Sequence, residues 1–190
     1  MTDDEFMTIV KSKNDESWTR YKAGRPDLID RYDVTSALVH GPAVLDVGCG
    51  ECLLAYLLTI RRDDIKRYVG LDPSPEMIAR AVRVLGSTIE IKEGFAENLP
   101  YKAGEFDTVV LGQTLEHVRD AVETAQEAMR VLKKGGRLIV NVPAFETQPH
   151  GNHLRVFRSC ADMMTLFGLG IVWSGEGRLH NFWFAWGERV

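Results

Sequence analysis

The 190-residue chain predicts an α/β domain: a seven-stranded, mostly parallel sheet with an antiparallel last strand and helices on both faces. Three observations carry this. Seven short apolar runs recur along the chain, with helical patterns between the first and second, the second and third, and the fourth and fifth. The last two of the seven close the chain as an aromatic-rich hairpin. A glycine turn joins the first apolar run to the first helical pattern, as a βα unit with a ligand at its tip requires. With 45% hydrophobic residues, the chain can fill one sizeable core and is too short for a large second one.

The first run, 43–47, has the apolar density of a buried parallel strand. Gly48, Cys49 and Gly50 follow, and Leu53, Leu54, Leu57 and Leu58 then recur with helical spacing. Glycine permits positive φ and removes the Cβ that would hold a ligand away, while the first helical amides point outward as donors. Such a turn suits a nucleotide-like ligand. Asp46, two residues ahead of Gly48, argues against phosphates at that point. A dinucleotide fingerprint also requires a third glycine where Leu53 stands. The second strand, 67–71, ends in Asp72, which lies 22 residues beyond Gly50 and so near the offset at which an acid meets ribose hydroxyls.

Ser74 caps the next helix with Pro75 at its first position. Met77, Ile78, Ala81, Val82 and Leu85 form its inner face, and Gly86 ends it. A third strand covers 88–91 and a fourth 106–111. The helix from about Arg119 to Leu132 turns Val122, Ala125, Met129 and Leu132 inward and ends at Lys133-Lys134-Gly135-Gly136, with cations near the negative end of its dipole. The fifth strand is 137–142. A long loop, 144–158, then counts as a functional segment by its length. Ser159 opens a capping box for a helix ending at Gly168, and strands near 169–174 and 180–186 complete the sheet. Ahead of all this, residues 1–40 allow two short helices that part near Gly24 and Pro26.

Taken together, five stretches resemble the class I S-adenosylmethionine-dependent methyltransferases: LDVGCGEC, VGLDPSPEM, EGFAENLPY, GEFDTVVLGQTLEHV and LKKGGRLIVNVP. Their order and spacing match the family over about Val44 to Pro143. The resemblance implies a Rossmann-like core over 41–190 in a single domain, with 1–40 as a helical lid segment. It implies S-adenosylmethionine as cofactor, held by Asp46, Gly48, Cys49, Gly50, Asp72, Pro73, Met77, Phe95, Ala96, Glu97 and Gln113. Phe95 stands where the family commonly has an acid for the adenine amino group, which leaves stacking, the Ala96 backbone or Glu97 for that role. Cys52 occupies a position where the family often has a third glycine, which implies a slightly wider turn or a slightly displaced cofactor.

Methyl transfer from a sulfonium is an in-line displacement, so alignment and exclusion of water dominate, and a base serves only acceptors that must lose a proton. Gln113, at the end of the fourth strand, is placed to orient an acceptor. His117 carries an imidazole suited to general-base work, and Glu116 can orient it; a structural role for this stretch stays open. Trp18, Tyr21, His150, His153 and Arg155 are the candidate acceptor contacts. Certain quinone-pathway and small-RNA methyltransferases carry Glu-x-x-Glu-His here and bind a divalent cation. This chain has Gln113 for the first carboxylate, which disfavours Mg²⁺, and no metal is expected. Asn98-Leu99-Pro100-Tyr101 is not the amine clamp of base-modifying methyltransferases, because it precedes the fourth strand.

A net charge of −4 advertises no nucleic-acid partner. Three cysteines build no disulfide framework, and the Cys49/Cys52 pair lacks the second pair that a zinc site would need. No apolar run approaches a membrane span and the start lacks a signal peptide's features, so a cytoplasmic protein is expected. The sequence therefore predicts methyl transfer to a small-molecule acceptor, at oxygen or nitrogen. The alternatives are a cation-dependent RNA ribose 2′-O-methyltransferase and a cofactor-binding module without catalysis.

Overall fold

The computed structural model describes residues 24–86, 89–144, 148–149 and 151–190. Its elements are α1 (Pro26–Leu38), β1 (Ala43–Val47), α2 (Leu53–Arg61), β2 (Arg67–Asp72), α3 (Pro75–Leu85), β3 (Glu90–Glu93), β4 (Phe106–Gly112), α4 (Ala121–Val131), β5 (Leu132–Pro143), α5 (Cys160–Met164) with a 3₁₀ continuation over Thr165–Gly170, β6 (Ile171–Leu179) and β7 (Phe182–Arg189). One sheet takes the strand order β3-β2-β1-β4-β5-β7-β6. β7 runs antiparallel to both neighbours, and the other pairings are parallel.

Alternation along the central strands divides the core into two layers, because successive side chains point to opposite faces. Leu45, Val47, Val109, Leu111, Leu138 and Val140 pack with Ala121, Ala125, Ala128 and Val131 of α4. Val44, Val110 and Ile139 pack on the other face with Leu53, Leu54, Leu57 and Leu58 of α2 and Ala81, Val84 and Leu85 of α3. Helices thus cover both faces. The chain turns one way from β1 to β2 and the other way to β4, so a crevice opens above the carboxyl ends of β1 and β4, where ligands of such folds bind.

Several boundaries depart from the sequence expectation. α3 buries Val84 and leaves Val82 exposed, and α4 likewise leaves Val122 exposed; in both helices tertiary packing rotates the apolar stripe away from the one that apolarity alone suggests. β5 starts at Leu132, so Lys133 and Lys134 lie in the strand rather than at a helix end. Lys133 Nζ pairs with Asp107 Oδ1 at 2.7 Å, and Arg130 is the cation in the last turn of α4.

β6 and β7 extend well beyond their expected ends. The expected break between them takes in Gly175 and Gly177, yet both lie within β6. A Cβ on Gly175 would stand 2.2 Å from Cζ2 of Trp186, so that glycine makes room for the ring. His180 and Asn181 join the two strands, and His180 Nε2 meets Asp30 Oδ2 of α1 at 2.6 Å. Among the described residues no helix is long and apolar enough to cross a membrane.

Candidate active site

The glycine hinge begins where β1 ends. Gly48 and Gly50 both take positive φ, 73° and 53°, and the amides of Gly48 and Cys49 donate to the Leu71 carbonyl at 2.7 and 3.1 Å. A Cβ on Gly48 would come within 2.7 Å of Thr114 Oγ1, whose hydroxyl donates to the Val47 carbonyl at 2.7 Å. One oxygen of Asp72 accepts from the Gly50 amide at 2.8 Å. Its other oxygen accepts from the Ser74 amide at 2.9 Å. Asp72 therefore braces the hinge from the neighbouring strand.

Cys52 follows in the same turn. It takes the left-handed conformation itself, with φ 57° and ψ 40°, as N-cap of α2, at the cost that such backbone imposes on a non-glycine residue. Its sulfur and that of Cys49 fill the space over Gly70, where a Cβ would stand 3.0 and 2.7 Å from them. Both thiols are free and buried. A hydrogen bond with Cys52, followed by burial, pushes the Cys49 thiol well above its usual range, so it stays protonated and inert. Gly70→Ala is expected to lower unfolding stability by about 1–3 kcal/mol through overpacking. Chemical denaturation would measure it, and an unchanged midpoint would show that the sulfurs move aside freely.

Beyond the hinge lies a cavity of about 660 Å³, lined by Gly48, Cys49, Gly50, Asp72, Pro73, Met77, Phe95, Ala96, Glu97, Gln113 and His117 among others. Ligand pockets typically span about 300–1,000 Å³, so the space suits a nucleoside with an amino-acid tail. A Cβ at Gly50 would meet no atom within 4 Å, which leaves the space beside that residue open to a ligand. The structure thus gathers ten of the eleven expected cofactor residues around one space. Asp46 stands apart. It is buried beneath the hinge, beside a separate space of only about 20 Å³, and accepts from the Tyr68 hydroxyl at 2.6 Å. Burial pushes its carboxyl up to about 6, against the lowering effect of that hydrogen bond.

At one end of the cavity, Glu97 Oε1 accepts from the amides of Arg119 and Asp120 at 2.8 and 3.4 Å. The Arg119 guanidinium lies 4.9 Å from the centroid of the exposed Phe95 ring. At the other end, Gln113 sits at φ 60°, held by its amide on the Asn141 carbonyl at 2.9 Å and by Nε2 on Asn141 Oδ1 at 3.3 Å. A left-handed non-glycine residue at a strand tip marks a site where surrounding contacts over-determine the backbone.

The stretch after Gln113 is a turn rather than the opening of a helix, since α4 begins only at Ala121, capped by Asp120 Oδ1. Arg155, expected to touch the acceptor, instead donates to the carbonyls of Leu115 at 2.5 Å, Val118 at 2.6 Å and Arg119 at 2.9 Å. It braces this turn, because turn carbonyls without partners of their own need a donor. His117 Nδ1 lies 3.3 Å from the Asn152 carbonyl. A carbonyl only accepts, so the neutral ring carries its proton on Nδ1 and presents Nε2 as the basic nitrogen. The rings of His117 and His153 meet edge to face at 4.7 Å. Ligand atoms of Glu116, His117 and His153 all lie within 4.8 Å of one another. Trp18, Tyr21 and His150 lie outside the described residues.

Four contributors went unnoticed in the sequence. Thr114 and Asn141 act across strand pairs that no local pattern shows. Glu51, half of a 3.0 Å pair with Arg80 Nη1, lines the cavity within the quoted motif. Arg31 also lines it, from a helix whose register on the sheet the sequence leaves open.

Fold and hinge together define a class I, Rossmann-like methyltransferase domain. Residues 45–140 match the family model described as "Methyltransferase domain", and the chain belongs to that family, whose cofactor is S-adenosylmethionine. A demethylmenaquinone methyltransferase of Desulfitobacterium hafniense is 28% identical over 75% of this chain and 57% of its own length. The chloroplastic 2-phytyl-1,4-beta-naphthoquinone methyltransferase of Arabidopsis thaliana is 37% identical over 53% and 41%. The chain thus spans about half the length of these relatives. Among solved structures, a SAM-dependent methyltransferase of Thermotoga maritima, described as a possible histamine N-methyltransferase, superposes with a TM-score of 0.74. It is 22% identical, over 96% of this chain and 99% of that one.

Proposed function

We propose that the chain transfers a methyl group from S-adenosylmethionine to a small-molecule acceptor, at oxygen or nitrogen. The observation that carries this is the hinge of Gly48–Gly50, braced by the Asp72 carboxylate and opening onto a cavity of nucleoside size. The bound cofactor supplies an electrophilic methyl on a sulfonium. Asp72 retains lone pairs beyond its two backbone bonds and would accept from ribose hydroxyls. Phe95, Ala96 and Met77 would flank the base, and the open side of Gly50 would face the amino-acid tail. Gln113 would hold the acceptor beside the donor methyl. His117 Nε2 would take a proton from an acceptor that needs to lose one, and the walls would keep water from the sulfonium. The names of the quinone-pathway relatives support an organic small-molecule acceptor.

Calorimetry with S-adenosylhomocysteine tests the cofactor half, and turnover with a panel of phenols, amines and hydroxyquinones tests the acceptor half. Binding without turnover would favour the non-catalytic module. His117→Ala is expected to keep S-adenosylhomocysteine affinity within about twofold and to cut turnover by about 100-fold, the low end for a lost general base. Full activity in that variant would leave His117 structural.

One observation favours a second reading. Glu116, His117 and His153 are placed to share a divalent ion, and two imidazoles with one carboxylate suit a transition ion better than Mg²⁺. Such an ion would act as a Lewis acid on an acceptor hydroxyl, such as a ribose 2′-hydroxyl of RNA. Titration with Co²⁺ decides this: visible absorption bands that vanish in His153→Ala, together with metal-dependent turnover on short RNA, would favour it over the first reading.

A further inference from the structure

The tip of β5 carries a polar residue inside an apolar run. Leu138, Ile139, Val140 and Val142 are buried, and Asn141 lies among them only 2% exposed, beside Gly112 of β4 and Phe184 of β7. A buried amide costs free energy unless it is hydrogen-bonded. Asn141 accepts twice from one residue: its carbonyl takes the Gln113 backbone amide at 2.9 Å, and its Oδ1 takes Gln113 Nε2 at 3.3 Å. The first bond holds Gln113 in its left-handed conformation at φ 60°. The second holds the side-chain amide by its nitrogen end. Gln113 lines the cavity of about 660 Å³, whereas Asn141 lines only the separate small space. The nitrogen end of the Gln113 amide is therefore engaged on the strand side, and among the described residues its Oε1 has no partner.

We propose that Asn141 is a positioning residue: it fixes the Gln113 amide so that Oε1 serves the acceptor, and the cavity thereby selects acceptors with an O–H or N–H on the atom to be methylated. A carbonyl oxygen accepts and never donates, so an ether oxygen or a tertiary amine meets Oε1 lone pair to lone pair. A hydroxyl or an N–H donates to it and keeps its own lone pair for the methyl. That lone pair forms the bond to the methyl carbon, the carbon–sulfur electron pair returns to sulfur, and the proton leaves to His117 Nε2. An amide fixed beforehand gives up little side-chain freedom when the acceptor arrives. The proposal rests on the methyl-transfer reading, since it takes Gln113 to stand beside the donor methyl.

The test uses the full chain loaded with S-adenosylhomocysteine, wild type against Asn141→Leu, Asn141→Ala, Gln113→Ala and the combination of the first and last. Thermal melting follows the fold of each. Saturation-transfer NMR titrations compare phenol with anisole, and aniline with N,N-dimethylaniline, pairs that keep the ring and lose the proton. Wild type is expected to bind the member with a proton about 2- to 10-fold tighter, the scale of one hydrogen bond. Each Asn141 variant should bring that ratio to about one, as Gln113→Ala does, and the combined variant should show no further change, because the two residues act as one unit. Gln113→Ala keeps Asn141 and its packing, so it tests the acceptor half even where an Asn141 variant melts early. A purely structural Asn141 would lower the melting temperature and leave the ratio intact. That result, or no difference within either pair on wild type, would overturn the proposal. A wild-type chain unable to bind S-adenosylhomocysteine at all would instead overturn the methyl-transfer reading.

Discussion

Asp72→Ala is expected to weaken S-adenosylhomocysteine binding by about 1.5–3 kcal/mol, roughly 10- to 150-fold, because hydrogen bonds to a charged group lie in that range. The same carboxylate serves the fold. It accepts from the amides of Gly50 and Ser74, so its removal leaves two backbone donors to find water and loosens the hinge that lines the cavity. A parallel loss of unfolding stability, about 1–3 kcal/mol, should accompany the weaker binding. Asp72→Asn separates the two effects. An amide still offers one acceptor oxygen to the hinge, and it loses the charge that strengthens bonds to ribose hydroxyls. Stability should therefore recover in part while affinity stays low. Unaltered affinity in both variants would remove Asp72 from the cofactor site.

Asp46→Asn is expected to stabilise the protein above pH 6 by up to about 3 kcal/mol and to leave it unchanged near pH 4, given that a tenfold change in proton affinity is worth about 1.36 kcal/mol. The carboxyl rises from 3.8 to about 6 in the folded chain because it is buried. Between those values the unfolded chain has released this proton while the folded chain still holds it, so wild-type stability falls as pH rises from about 4 to 6 and is level beyond. The amide oxygen can still accept from the Tyr68 hydroxyl, so geometry is kept while the cost of a buried charge disappears. Unfolding free energies measured from about pH 4.5 to about pH 7.5, across the span where the proton is lost, would show the effect. Parallel curves for the two proteins would show that Asp46 stays ionised throughout. The nearby Arg31 favours the ionised form and offsets part of that rise.

Cys49 and Cys52 show where reading by residue type stops. Their C-x-x-C spacing is legible as a motif, and its lack of a second pair argues against a zinc site. That the two sulfurs occupy the room left by Gly70 follows only from the register that sets Asp46 opposite Gly70. Arg155 is a second case. A cation in a long loop after β5 reads as an acceptor contact, yet the loop folds back onto the turn after β4, where three carbonyls take its protons. His153 and Glu116 are 37 positions apart and meet because that same fold-back seats Leu154 on the Glu116 carbonyl at 2.7 Å.

From the order of residues alone came the layered α/β architecture, the glycine hinge, the acid that closes β2 and the family, since these depend on short-range patterns of apolarity, φ and spacing. The three-dimensional packing alone decided that Asp72 braces the hinge, that Arg31 lines the cavity near the Tyr32 and Phe182 rings, and that Asp46 is buried beneath the hinge with a raised affinity for its proton. Each of these depends on which distant segments lie side by side and on how much water they exclude, and no local pattern encodes either quantity.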